Sequence, residues 1–330
     1  MIVTTIITRS AFLLQSIATT SYLYTNANNA PQSSTFSQLD LDQQMKVSSS
    51  LVRQATSSYL REDPTLAGKL LRLAFHDAAT REQQESRDEF SGGPNASIRY
   101  EVSWSENRAI SRPLKVVECI YNDVGKYMGL SFADCIALSG AQSVTYAGGP
   151  PIPIKLGRID ASVADVQKRR AVLKSQTDRS IVDTTLPSAG LDSDGLRLYF
   201  GSLGLSEAEF VAFCGAHDLG RHVTLLDMEK PCLRNLTREC LENAPVLMPF
   251  VSDEPDRLSN TYFKMLLKWY DRKVELGEVA FIPTDVDFVV DEGLRKYVEE
   301  YAKDQNLFYS NFAVAYQKLV DAGASSEKTY

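Results

Sequence analysis

Arg72 and His76 stand four residues apart in the segment L-L-R-L-A-F-H-D, a spacing that on a helix stacks both on one face with Phe75 beside them. A base and a fixed cation held together in this way can move a proton and stabilise negative charge in a single reaction. The plainer reading is a surface pair or a satisfied core pair, and on these residues alone both stay open. Two other histidines occur, His217 in F-C-G-A-H-D-L-G-R and His222 shortly after it. The five cysteines, Cys119, Cys135, Cys214, Cys232 and Cys240, show no C-x-x-C spacing, so a structural zinc site has no support. Cys119, Cys135 and Cys214 fall in apolar helical patterns and read as buried, inert thiols. Cys232 and Cys240 lie in a polar connection and are open either to pairing in an oxidising compartment or to remaining free.

The elements that must position these groups are helical. From Asp40 onward the sequence reads as helices separated by Gly/Pro loops, with too little alternation for more than a small hairpin. Asp63-Pro64 supplies a helix cap and first-turn proline, after which Leu66, Leu70, Leu71 and Ala74 keep an apolar stripe through His76. Ser131-x-x-Asp134 opens a second helix in capping-box style, and Ser206-x-x-Glu209 a third that runs into Cys214. Phe308, Phe312, Tyr316, Leu319 and Val320 recur at helical spacing until Gly323 and read as core. The Gly/Pro-rich run 148–153, ending near Gly157-Arg158, is the expected hinge between an N-terminal lobe (40–157) and a C-terminal lobe (158–323). Arg158 and Asp160 read as a structural turn pair, and Trp104 as core packing or an electron-transfer residue.

Composition narrows the classes. A chain of 330 residues with 44% hydrophobic content can bury a core large enough to surround a cofactor. A net charge of -7 with no cluster of Lys and Arg argues against nucleic acid as a partner. No stretch reaches the ~18 consecutive apolar residues of a membrane-spanning helix. Residues 1–39 carry no acidic residue and only Arg9 as a charge, which predicts a targeting or disordered segment outside the folded domain. Within it T-R-S-A-F-L-L-Q is similar to a twin-arginine signal lacking one arginine, and Ala27 to Ala30 offers a small-residue cleavage region. A plastid address, extending to its thylakoid lumen, is the expectation, with mitochondrial and secreted addresses as alternatives. Asn95-Ala96-Ser97 and Asn235-Leu236-Thr237 fit the glycosylation sequon, which means something only on a secretory route.

Several ordered segments carry a resemblance. L-L-R-L-A-F-H-D, S-G-G-P-N-A-S-I-R-Y-E, S-E-N-R-A-I, S-F-A-D-C-I-A-L-S-G, F-C-G-A-H-D-L-G-R, F-I-P-T-D-V-D-F and Y-A-K-D-Q-N-L-F together resemble class I haem peroxidases, closest to the ascorbate peroxidase-related proteins of plants and algae. The resemblance runs from about residue 50 to 323. It implies an all-α plant-type peroxidase fold of two helical lobes with one haem b between them. It further implies His217 as the axial iron ligand, Asp285 as the carboxylate behind it, and Asn107 as the acceptor that fixes the tautomer of His76. Phe75, Phe250 and Arg221 fall where the family packs the haem or neutralises a propionate or nearby carboxylate. The implied activity is reduction of hydrogen peroxide to water by a small electron donor, ascorbate or a phenol-like reductant, with His76 moving the proton and Arg72 stabilising charge.

The chain also departs from that family's pattern. Pro249-Phe250 stands where ascorbate and cytochrome c peroxidases carry a tryptophan after proline, so a protein radical is not expected there. Leu226 stands where ascorbate peroxidases carry the arginine that binds ascorbate, with Lys230 or Arg221 as candidate substitutes. Asp218 replaces the hydroxyl residue that usually helps to bind a structural cation, leaving a Ca²⁺ or K⁺ site or a simple helix cap as its two readings. The alternative function is a non-catalytic binding or structural protein of the thylakoid lumen with the same fold, which the retained Arg72, His76, Asn107, His217 and Asp285 oppose.

Overall fold

The computed structural model describes residues 36, 39–79, 94–176, 186–187, 191–223, 247–251, 254–273 and 279–330. Leu226, Lys230, Cys232, Cys240, Asn235 and the expected targeting segment through residue 35 lie outside these. Among the described residues α1 (Leu41–Glu62) and α2 (Leu66–Ala78) come first of the longer helices, then two 3₁₀ turns, Ser97–Tyr100 and Ser105–Asn107. α3 (Ser111–Asp123), α4 (Phe132–Tyr146), α5 (Val163–Gln176), α6 (Ser193–Ser202) and α7 (Glu207–Cys214) follow. A 3₁₀ turn, Gly215–Leu219, leads to β1 (Arg221–Val223), which pairs antiparallel with β2 (Leu247–Pro249) in the register Arg221 to Pro249. α8 (Thr261–Tyr270), α9 (Pro283–Val290), α10 (Glu292–Lys303) and α11 (Gln305–Val320) complete the order. The mainly helical architecture and the one small ribbon among the described residues agree with the sequence pattern.

α4 is buried on nearly every side from Phe132 to Val144, as an all-round apolar helix must be in a globular core. Its Ser139 hydroxyl meets Thr56 of α1 at 3.1 Å, and its Ala137 carbonyl accepts from Tyr316 of α11 at 2.8 Å. α2 packs along it, with Ala74 set against Gly140. The N-terminal caps follow the sequence with two refinements. Ser206 and Glu209 form the full reciprocal box at α7. At α4 Ser131 accepts from Asp134 N, but the Asp134 carboxylate turns instead to Gly157 N and Arg158. At α2 the helix starts at Leu66, and Asp63 acts one step earlier by accepting from Thr65 N and its hydroxyl.

Two expectations are corrected. Arg158 does not pair with Asp160: its buried guanidinium bonds Asp134 Oδ1 at 2.8 Å and the Val320 and Lys155 carbonyls. Asp160 caps α4 instead, accepting from Phe132 N and Ala133 N, and pairs with Arg99 at 3.5 Å. Nor is the segment 148–158 a loose hinge. Ile152, Ile154 and Leu156 are buried, Ile154 exchanges backbone hydrogen bonds with Tyr330, and Arg53 donates to the Ile152 carbonyl. A run of glycine and proline that carries alternate buried aliphatics is an extended, pinned strap, not a swivel.

One close approach fixes α2 against the turn that carries His217. A Cβ built on Gly68 would lie 2.3 Å from the Leu219 carbonyl oxygen, so only glycine lets the two backbones touch. Gly68→Ala recovers ~1 kcal/mol of helix propensity, but overpacking costs about 1–3 kcal/mol, and a backbone obstacle cannot rotate aside. We expect a lower denaturation midpoint for this variant; an unchanged or higher midpoint would show that the contact is looser than the geometry implies.

Candidate active site

On α2 the positions around His76 are buried, whereas Arg72 and Phe75 are half-exposed on the same face. His76 Nδ1 lies 2.8 Å from Asn107 Oδ1, at the end of the turn Ser105–Asn107. The Asn107 amide is oriented by its own donation to the Glu101 carbonyl at 3.0 Å, so its oxygen must accept. The Nδ1 therefore carries the proton and Nε2 is left as a base. Burial and the Arg72 cation both push the His76 imidazole well below the ordinary histidine range, with Asn107 opposing them. Arg72 is itself held in place, donating to the Arg108 carbonyl at 2.7 Å and the Glu106 carbonyl at 3.0 Å. Partial desolvation and the neighbouring Arg108 charge lower the Arg72 guanidinium from its ordinary range, and it remains a cation at neutral pH. Beside His76, Asp77 accepts from Ala96 N and Ile98 N and ties the left-handed turn at Ala96 to the helix.

The second histidine sits on the turn Gly215–Leu219 that continues α7. His217 Nδ1 lies 2.7 Å from Asp285 Oδ1, and the His217 side chain is 30% exposed while Asp285 is fully buried. Asp285 is placed by α9, whose N-terminal residue Ile282 donates its N–H to Oδ2 at 2.9 Å. Phe250, the residue after β2, stacks on the His217 ring at 4.1 Å with planes 9° apart. That stacking needs Gly220, because a Cβ there would lie 2.9 Å from the Phe250 ring. Phe75 reaches the same region, meeting Phe213 of α7 at 5.5 Å and His76 at 6.0 Å between ring centroids. Phe75 thus links the helix of one histidine to the helix of the other.

The remaining sequence-picked residues take structural places. Arg221 pairs with Asp256 at 2.6 Å, the carboxylate option for that residue. Asp218 caps α8, accepting from Ser259 N at 2.6 Å, the Ser259 hydroxyl at 3.0 Å and Tyr262 N at 3.0 Å, which is the helix-cap option. Among the described residues no group of three or more His, Cys, Asp or Glu is arranged to hold a metal ion. Trp104 is buried at the start of the turn that presents Asn107. Burial pushes the Cys135 and Cys214 thiols up, so both stay protonated. The backbone of His222 lies in β1. Tyr262, absent from the sequence reading, donates its hydroxyl to Asp285 Oδ1 at 2.7 Å. No local pattern marked it, because the two residues are 23 apart and share no helix face.

Comparison with known proteins gives this geometry a family. A sequence model described as Peroxidase matches residues 52–304. A protein named "Putative L-ascorbate peroxidase 6" from Arabidopsis thaliana is 31% identical over 259 residues, covering 78% of this chain and 64% of its own length. "Probable L-ascorbate peroxidase 8, chloroplastic" from Oryza sativa subsp. japonica is 29% identical, covering 77% of this chain and 49% of its own. "Cytochrome c peroxidase, mitochondrial" from Cryptococcus neoformans var. neoformans is 30% identical, covering 79% and 63%. The chain thus spans between about half and two thirds of the length of these relatives. Because the family match takes in the helices of both histidines and the segment of Asp285, the chain belongs to the peroxidase family, on the class I plant-type side related to ascorbate peroxidases.

Proposed function

We propose that this chain is a haem-dependent peroxidase that reduces hydrogen peroxide to water with a small electron donor. The observation that carries this reading is the pair of imidazoles, each with Nδ1 fixed by its own partner, Asn107 for one and Asp285 for the other. Both rings therefore keep Nε2 for chemistry, and the two environments are opposite in kind. His76 faces an amide and a cation, which suits a neutral base; His217 is backed by a buried carboxylate, which suits a metal ligand.

The residues fit one haem b. An imidazole nitrogen backed by a carboxylate is a strong donor to iron; Phe75 offers an apolar surface to a flat macrocycle, and Phe250 packs the face of the His217 ring. In this reading His217 would hold the iron, with the peroxide-side groups supplied by residues 40–157 and the iron-holding groups by 158–323. When bound, a haem would supply the two electrons that break the O–O bond, one from the iron and one from the porphyrin, and would recover both from the donor. The protein supplies the rest. His76 Nε2 would take a proton from one peroxide oxygen and deliver it to the other, so that the leaving group departs as water. Arg72, fixed by two carbonyls, places its charge where that oxygen becomes negative.

The donor is proposed as a small organic reductant of the ascorbate or phenol class, and the address as the plastid, on the composition of the first 39 residues. The depressed His76 pKa gives the reading a pH test. The ordinary histidine value is 6.5, and a base held well below it stays unprotonated as the medium acidifies. The initial rate of peroxide loss by the haem-loaded protein, with ascorbate or a phenol in excess, should stay flat down through pH 6.5 and fall only below it. A rate that halves near 6.5 would contradict the buried, cation-flanked base. Stability should follow the same sign: below 6.5 the unfolded chain takes up a proton that folded His76 refuses, so stability declines as pH falls.

A further inference from the structure

The buried carboxylate behind His217 is shared. Asp285 Oδ1 lies 2.7 Å from His217 Nδ1 and 2.7 Å from the Tyr262 hydroxyl, while Oδ2 is committed to Ile282 N at 2.9 Å. We propose that Tyr262 is a positioning residue for the axial imidazole: its O–H donates to the oxygen that accepts the His217 N–H and so limits how strongly the carboxylate pulls on that proton. The proposal rests on the reading of His217 as the iron ligand.

The phenol is built into this position. Tyr262 and Asp285 are both fully buried, so water does not dilute the contact. The Tyr262 ring is held edge-on by Phe263 at 5.1 Å, Phe281 at 5.8 Å and His217 at 6.0 Å. Its backbone N–H is held by Asp218, the neighbour of His217 in sequence, so ligand, carboxylate, phenol and cap form a closed circuit. Burial and the adjacent Asp285 charge push the phenol well above its ordinary range, which keeps it a neutral donor. Phe250, stacked on the other side of the imidazole, has no N–H or O–H to offer Asp285.

A carboxylate that accepts from a metal-bound imidazole makes the imidazole more basic and stabilises the higher oxidation state of the metal. A second donor on the same oxygen withdraws negative charge from it and weakens that pull. Removing the second donor must strengthen it. In the haem-loaded full chain, Tyr262→Phe keeps the ring and its packing; we expect unchanged haem content and a lower ferric/ferrous midpoint potential. The shift should favour the ferric form on the order of tenfold, about 59 mV for a one-electron couple. Asp285→Asn should move the potential the other way, and Tyr262→Phe should add little in that background, because the two changes act through one carboxylate. A Tyr262→Phe potential equal to or above wild type at full haem content overturns the proposal. If His217→Ala retains haem at the wild-type level, the ligand assignment falls and the proposal falls with it; if His217→Ala loses haem while Tyr262→Phe leaves the potential unmoved, only the role of Tyr262 is refuted.

Discussion

Replacing His76 with alanine should leave haem bound and slow peroxide consumption by about 10²- to 10⁴-fold, the usual worth of a positioned general acid–base. The expectation follows from three features of the site. The imidazole stands one helical turn from Arg72, its tautomer is fixed by Asn107, and its burial keeps it neutral at working pH. The substitution also strands the Asn107 oxygen, which costs about 1–3 kcal/mol of stability, small enough for the fold to survive. Initial rates at matched haem concentration read the effect, with the optical band confirming that haem is present. A variant within about twofold of wild type would remove His76 from the mechanism.

His217→Ala should instead act on the cofactor. Changing a group that merely supports a metal ligand typically costs about 10- to 100-fold in affinity, so deleting the ligand itself should cost at least ~100-fold. Haem content after purification and dialysis should fall to a small fraction of wild type. Because His217 is partly exposed and sits at a helix end, the fold should be little affected, although Asp285 loses one of its donors while keeping Tyr262 and Ile282. The two histidine variants thus separate: one keeps haem and loses rate, the other loses haem.

How much of this could be read from the sequence depended on how far apart the partners lie. Arg72 and His76 are legible because four residues make one helical turn, and the caps at Ser206 and Ser131 because a capping box spans three residues. The apolar stripe of α11 was equally plain. Contacts across the fold follow no periodicity. His217 meets Asp285 across 68 positions, and only resemblance to a known family linked them in advance. Arg158 shows the limit from the other side: its neighbour Asp160 seemed the natural partner, yet the guanidinium reaches Asp134, 24 positions earlier, because the pinned strap 148–158 runs past the start of α4. Tyr262 was hidden for the same reason, its aromatic ring being indistinguishable in sequence from the core residues around it. Gly/Pro content likewise suggested a hinge, and the alternate burial of Ile152, Ile154 and Leu156 makes that segment a packed strap.

The most direct test is an optical titration of the full chain with haem, followed by one equivalent of peroxide and then by ascorbate or a phenol. The expected result is saturation at one haem per chain, a spectral change on adding peroxide, and return to the starting spectrum with at least one of the two donors. A protein that binds no haem, or binds it and leaves peroxide untouched, would contradict the account and favour the non-catalytic reading of the fold.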